Sequence, residues 1–283
     1  MYATLHGDSL LAAPPAPQRQ RALGRLVLEA TASGGATRVL NLSESGPSRI
    51  RLPRTHGGAL EAVMMNTGGG IACGDIMHVQ VAAKSGSDVV MTTPAAERIY
   101  RSDGAVSEVH VRLDVESGAR LEWLPQETIL YEHARLRRSF EAEVAEDATL
   151  SIFEAVMLGR HARGERITHG LLDDRWRIRC AGRLVHADNL VLDGALDALL
   201  RQPAVMRGHT AFATFLHVAP DAESRLEEAR EALAGAECAC AASAWNGRLA
   251  VRLLAPEIAP LRRSATAFLT RFLGRPLPRV WHS

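Results

Sequence analysis

Between Arg25 and about Leu192 the chain alternates apolar and polar residues with a period of two, in short segments such as "RLVLEA", "TRVLNL", "IMHVQVAA", "SEVHVRLDV" and "TLSIFEAV". That period marks strands with one face on a core, and the Gly, Pro, Ser and Asp clusters between the segments are turn signals. The chain therefore reads as mainly β, with many short strands in packed sheets. No helical stretch separates one strand from the next, so mostly antiparallel pairing is expected. A weaker echo runs through the same region. "KSGSDVVMTTP", "ESGARLEWLP" and "AEDATLSIFEA" each set a small polar turn before an apolar strand, with Gly86, Gly118 and Asp147 in register at spacings of 32 and 29 residues. Repeats of that length suggest stacked strand-turn-strand units.

After Leu192 the character changes. "LDGALDALLRQ", "DAESRLEEAREALAG" and "PEIAPLRRSATAFLTRFLG" have helical spacing, the second with Asp221 as N-cap and Gly235 as stop, the third running from Pro256 to Gly274. Between them "AFATFLHVA", "ECACAASAW" and "GRLAVRLLA" read as further strands. The expectation is a single domain over residues 1–283: an arm at 1–24, a β body at 25–192, and a mixed helix and strand part at 193–283, with the helices on one side of the β body.

Charge and composition exclude several function classes. Thirty-three basic and 32 acidic side chains leave a net charge of +1, which favours neither nucleic acid nor an anionic membrane as partner. The opening residues lack a basic n-region and no run approaches the length of a membrane span. Cys73, Cys180, Cys238 and Cys240 are too few and too scattered for a disulfide framework. A soluble protein of a reducing compartment, the cytoplasm, is expected.

The stretch "MMNTGGGIACGD", Met64 to Asp75, invites a phosphate reading that its own residues refuse. Lys84 is the only lysine in the chain, and a carboxylate follows Gly74 where a phosphate loop needs lysine. No G-x-S-x-G elbow is present, and the eleven histidines form neither H-x-H nor H-E-x-x-H. His78 and His110 read as half-buried strand histidines, and Cys238 and Cys240, on one face of a strand, read as core residues. Two features stand out. "LGRHARGER", from Leu158 to Arg166, packs a polar loop between glycines, and Glu154 interrupts an apolar strand, where an inward carboxylate is costly unless it is paired or lines a wet cavity.

Five segments, "NTGGGIACGD", "TTPAAERIYRSDG", "LPQETILYEHARLRR", "FEAVMLGRHARGE" and "GRPLPRVW", spread in order over residues 66 to 281, resemble the urease accessory protein family UreD, also called UreH. The residues carrying the likeness are Thr67, Gly69, Gly70 and Gly74 in the first, Thr93, Pro94, Tyr100 and Arg101 in the second, Pro125 and Gln126 in the third, and Gly159, Arg160 and Gly164 in the fourth. Gly68 and Cys73 depart from the family pattern, which usually has alanine and glycine there; both substitutes are small.

The resemblance implies a scaffold that is not itself an enzyme. It implies a mostly β protein that joins a UreF-like helical accessory protein and a UreG-like GTPase on the urease apoprotein subunits and assists nickel delivery, with no tightly bound cofactor and nickel only in transit. GTP hydrolysis would belong to the partner, in keeping with the missing phosphate-binding lysine. Asp75, Glu154 and Glu165 match acidic positions of the family motifs and are the candidates for lining an internal metal route. A carrier that must release nickel suits few, exchangeable oxygen ligands. Two other readings stay open at this point: a β-sandwich metal-dependent hydrolase using Asp75 and Glu165, and a plain β-rich interaction module.

Overall fold

The repeat in the sequence is a repeat in space. A computed structural model describes residues 21–54, 58–160 and 163–282. β1 (Leu23–Ser33) and β2 (Ala36–Ser45) form a hairpin, followed by the pair β3 (Ser48–Arg51) and β4 (Leu60–Asn66). Then the chain coils. β5 (Ile76–Ala83) turns into β6 (Asp88–Thr92) and β7 (Glu97–Ile99), β8 (Ser107–Val115) into β9 (Arg120–Leu124) and β10 (Thr128–Leu130), and β11 (Arg135–Val144) into β12 (Thr149–Leu158). The hairpin of β13 (His169–Cys180) and β14 (Arg183–Ala195) follows, then α1 (Leu196–Arg201), β15 (Ala211–Val218) and α2 (Leu226–Ala232). The hairpin of β16 (Ala239–Trp245) and β17 (Arg248–Ala255), α3 (Ile258–Leu273) and a 3₁₀ turn at Arg279–His282 complete the order.

Two sheets result. One runs β14-β13-β11-β8-β5-β1-β2; the other runs β16-β17-β15-β12-β9-β6-β4-β3, with β10 beside β12 and β7 beside β10. Among the described residues nine of the fifteen strand pairs are parallel, so the expectation of mostly antiparallel pairing is corrected. Each small turn carries the chain from one sheet to the other, so the next strand to enter a given sheet arrives one coil later and in the same direction. Asp88 therefore pairs with Arg120 and Arg120 with Thr149, which reproduces the 32- and 29-residue spacings. The turns stack as well: Gly86 N donates to Ser117 O at 3.0 Å, and Ser117 Oγ donates to Asp147 Oδ2 at 2.7 Å.

The main core lies between the sheets, where Leu28, Val81, Leu113 and Phe140 of one face Met91, Leu121, Leu150 and Ile152 of the other. A second core sits behind the larger sheet, under α2 and α3, around Phe215, Phe268 and Phe272. β12 is buried along both faces because it separates these two cores. The C-terminal strands β15, β17 and β16 continue the larger sheet from β12, and α3 ends at Gly274 in the left-handed conformation. Asp221 does not cap α2. Residues 220–225 wind as a turn and Arg225 stands at the N-cap, its guanidinium over the Phe272 ring. Cys240 is exposed on the edge strand β16 and Cys238 is half-buried, so the core reading fails for Cys240.

Candidate functional site

Alternation puts three charged side chains where apolar ones belong. Along β11 the interior positions are Leu136, Arg138 and Phe140; along β13 they are Leu172, Asp174 and Trp176; along β12 they are Ile152, Glu154 and Val156. Parallel register sets Arg138 directly beside Asp174, and Glu154 reaches them from the opposite sheet. Arg138 Nε and Nη2 donate to the Asp174 carboxylate at 3.0 and 2.5 Å, and Nη1 donates to Glu154. Trp123 Nε1 donates to Glu154 at 2.7 Å and Trp176 Nε1 to Asp174 at 3.2 Å. Arg138 is 5% exposed and Glu154 6%, so these are buried charges that survive only because each is paired and hydrogen-bonded. Burial pushes the Glu154 carboxyl above its ordinary range against the pull of Arg138 and Trp123. Burial also opposes the Arg138 charge, but Asp174 and Glu154 outweigh it and hold the guanidinium charged.

Part of the cluster lines a cavity of about 390 Å³ between the sheets. Arg138, Glu154 and Trp123 are its buried cluster residues. Buried Pro125, Gln126, Thr128 and Gly70 line it too, as do half-buried Thr93 and Glu97 and the exposed Thr67, Gly69 and Pro94. Gln126 Oε1 is buried on this wall and accepts no hydrogen bond from the described residues, as expected where water or an ion supplies the partner. Glu97 is the second carboxylate of the cavity. Burial raises its pKa to about 7 despite hydrogen bonds from Asn66 and the Arg98 N–H.

Gly70 explains the glycine run. Its φ is +146°, and a Cβ there would stand 2.5 Å from the Tyr100 ring and 2.8 Å from Arg98 O. Ile71 pairs with Ile99 across this approach. The other motif loops stack on the same end of the coil: Tyr131 N donates to Ile99 O, Arg101 bridges to Ala134, and Gly159 N donates to Leu130 O. Tyr100 packs edge-on to Tyr131, and the Arg160 guanidinium lies over the Tyr131 ring.

The three acids singled out in the sequence do not share a place. Only Glu154 is on the cavity wall. Asp75 is a buried loop staple that accepts Ala22 N at 2.7 Å and Ala72 N at 2.8 Å, while the preceding Gly74 N–H donates to Ser107 Oγ. Glu165 is taken by Arg160 Nε at 2.9 Å and by Glu132 N, and the Arg160 hydrogen bond holds its carboxyl below the usual range. Gly159 is fixed over this loop, where a Cβ would meet Glu165 O at 2.8 Å; Gly164 is exposed, and His161 and Ala162 lie outside the described residues. The Cys73 thiol donates to Asp103 Oδ1 at 2.6 Å. Among the described residues no three His, Cys, Asp or Glu side chains gather as a metal ligand set. Sequence reasoning missed Arg138, Asp174, Trp123 and Glu97. Arg138 and Asp174 were findable: each occupies an inward phase of "LRRSFEAEV" or "LLDDRWRI" where the alternation calls for an apolar residue.

A β coil whose motif loops gather at one end, above a chamber that penetrates to a buried charged cluster, defines a class of protein organised around its interior. The family model that matches it, over residues 22–282, is described as UreD urease accessory protein. The chain is 52% identical to the urease accessory protein UreD of Azorhizobium caulinodans, an alignment covering 94% of this chain and 98% of that one. It is 54% identical to that of a Methylobacterium species (95% and 98% covered) and 42% identical to that of Rhizobium etli (94% and 97% covered). The chain belongs to the UreD family of urease accessory proteins, and its role lies in urease maturation. No helix among the described residues is long and apolar enough to cross a membrane.

Proposed function

We propose that this protein is a non-catalytic scaffold of urease maturation that joins the urease apoprotein with a UreF-like helical protein and a UreG-like GTPase, in the cytoplasm, and passes nickel through its interior cavity. The observation that carries the reading is the cavity itself, whose wall holds both residues of the glycine loop and the buried Glu154. Its wall is largely apolar, and the few carboxylate, amide and hydroxyl oxygens set in it suit a divalent ion that must be released again, since exchangeable oxygen ligands hold nickel less firmly than a nitrogen and sulfur set. Glu97 and Glu154 are the carboxylates of this path, and Gln126 Oε1 is an acceptor free to meet a hydrated ion. Asp75 and Glu165 serve it indirectly by shaping the loops at the cavity end of the coil. The hydrolase reading would need those two acids in one centre, whereas each is taken up by separate partners, Ala22 N and Ala72 N for Asp75 and Arg160 and Glu132 N for Glu165.

The test is nickel content per urease active site in cells carrying Glu154→Gln, with assembly of the accessory complex checked by pull-down. Reduced loading with the complex intact is expected. Full loading would leave the chain a scaffold with no metal path of its own. Turnover of GTP or urea by the pure chain that Asp75→Ala or Glu165→Ala removed would overturn the non-catalytic reading.

A further inference from the structure

The buried trio sets two acids against one base, and its geometry is lopsided. Arg138 spans both acids, but only Arg138 and Glu154 line the cavity; Asp174 stands behind the guanidinium, on the neighbouring strand of the same sheet. Each carboxylate keeps one fixed indole donor that does not depend on Arg138, Trp123 for Glu154 and Trp176 for Asp174. Subtracting the guanidinium would leave two prepositioned carboxylates facing each other across the gap it fills, the arrangement hard divalent cations select.

We propose that Arg138 is an internal counter-cation that occupies the place a divalent ion would take between Glu154 and Asp174, so that this acid pair cannot store the metal. A passing ion meets the cavity side of Glu154, whose two oxygens are held by Trp123 and Arg138, and moves on, because displacing the guanidinium would cost the forked pair with Asp174, whose two parallel hydrogen bonds match that carboxylate. The acid pair opens only when the guanidinium swings away. This inference rests on the transit reading for its biological meaning, but not for its test. A purely structural ion cluster would also lose stability when Arg138 is changed. It would not gain a metal site.

The test uses the full chain, kept in solution with its partner where needed, and nickel chloride as probe. Bound nickel is read by equilibrium dialysis and by quenching of Trp123 and Trp176 fluorescence. Wild type is expected to retain no nickel that Glu154→Gln or Asp174→Asn releases. Arg138→Met is expected to bind about one equivalent, at least roughly tenfold tighter than wild type, as removal of a cation from between two buried carboxylates requires. Adding Asp174→Asn should abolish the gain. Should Arg138→Met fail to fold, Arg138→Lys keeps the charge but cannot fork across both acids, and it should show a smaller gain of the same kind. Stoichiometric nickel on these acids in wild type overturns the proposal. So does a folded variant of either type that binds no more than wild type. If the gain appears but Glu154→Gln leaves urease loading unchanged, the counter-cation assignment stands and the transit reading falls.

Discussion

Replacing Glu97 by glutamine should stabilise the protein in a pH-dependent way. Burial on the cavity wall raises this carboxyl from 4.5 to about 7, so between those values the folded state keeps a proton that the unfolded chain has lost. Stability from this group is therefore complete below about pH 4.5, falls with rising pH at about 1.4 kcal/mol per unit, and is lost once pH passes about 7. Across that interval the loss amounts to about 3 kcal/mol. Glutamine is nearly isosteric and does not titrate, and it can still accept from Asn66 and the Arg98 N–H. Comparing the thermal midpoints of wild type and Glu97→Gln cancels every other titrating group. At pH 5 the two should melt within a degree or two of each other, and at pH 8 the variant should melt roughly 5–10 °C higher for a domain of this size. An equal gap at both pH values, or a wild type more stable than the variant at pH 8, would refute the argument.

Asp75→Asn should cost about 1–3 kcal/mol by losing a charged acceptor of two backbone N–H groups, read as a lower urea midpoint with an unchanged slope. Gly70→Ala should destabilise more than a typical surface change, by about 2 kcal/mol or more, because the added Cβ overlaps Tyr100 and Arg98 O; Tyr100→Ala in the same chain should relieve only part of it, since the backbone clash and the positive φ remain. Cys73→Gly removes a buried thiol that donates to Asp103, so a thermal shift should accompany unimpaired nickel loading of urease; loss of loading with the complex intact would make the thiol a working ligand.

The strands were legible because alternation is a local property, and every segment quoted from the coil lies in or overlaps a strand of the structure. Pairing direction was not. "DVVMTT" and "SEVHVRLDV" follow one another in sequence as neighbours of a meander would, yet β6 and β8 lie in different sheets, and the only trace of that was the spacing of Gly86, Gly118 and Asp147. The site divides in the same way. Glu154 could be picked out because a carboxylate breaks an otherwise apolar strand, and the structure supplies both the ion pair and the cavity wall that such a residue needs. Asp75 and Glu165 sit in polar loops, where a sequence does not distinguish an acid serving its own backbone from one facing a cavity. Glu97 was hidden for the opposite reason: it lies among polar and small residues in "PAAERIY", and its burial comes from Asn66 and the glycine loop across the cavity.

If nickel passes through the cavity, filling that passage without touching a carboxylate must stop it. Ala96 lies on the cavity wall near the surface, half-buried, and phenylalanine there would fill the passage; Ala96→Ser is the control that leaves it open. The measurement is nickel per urease active site after maturation in cells, with the accessory complex recovered intact by pull-down for each variant. Loading near the level of cells lacking the protein for Ala96→Phe, beside normal loading for Ala96→Ser, is the predicted result. Normal loading with the passage filled would show that nickel takes another route.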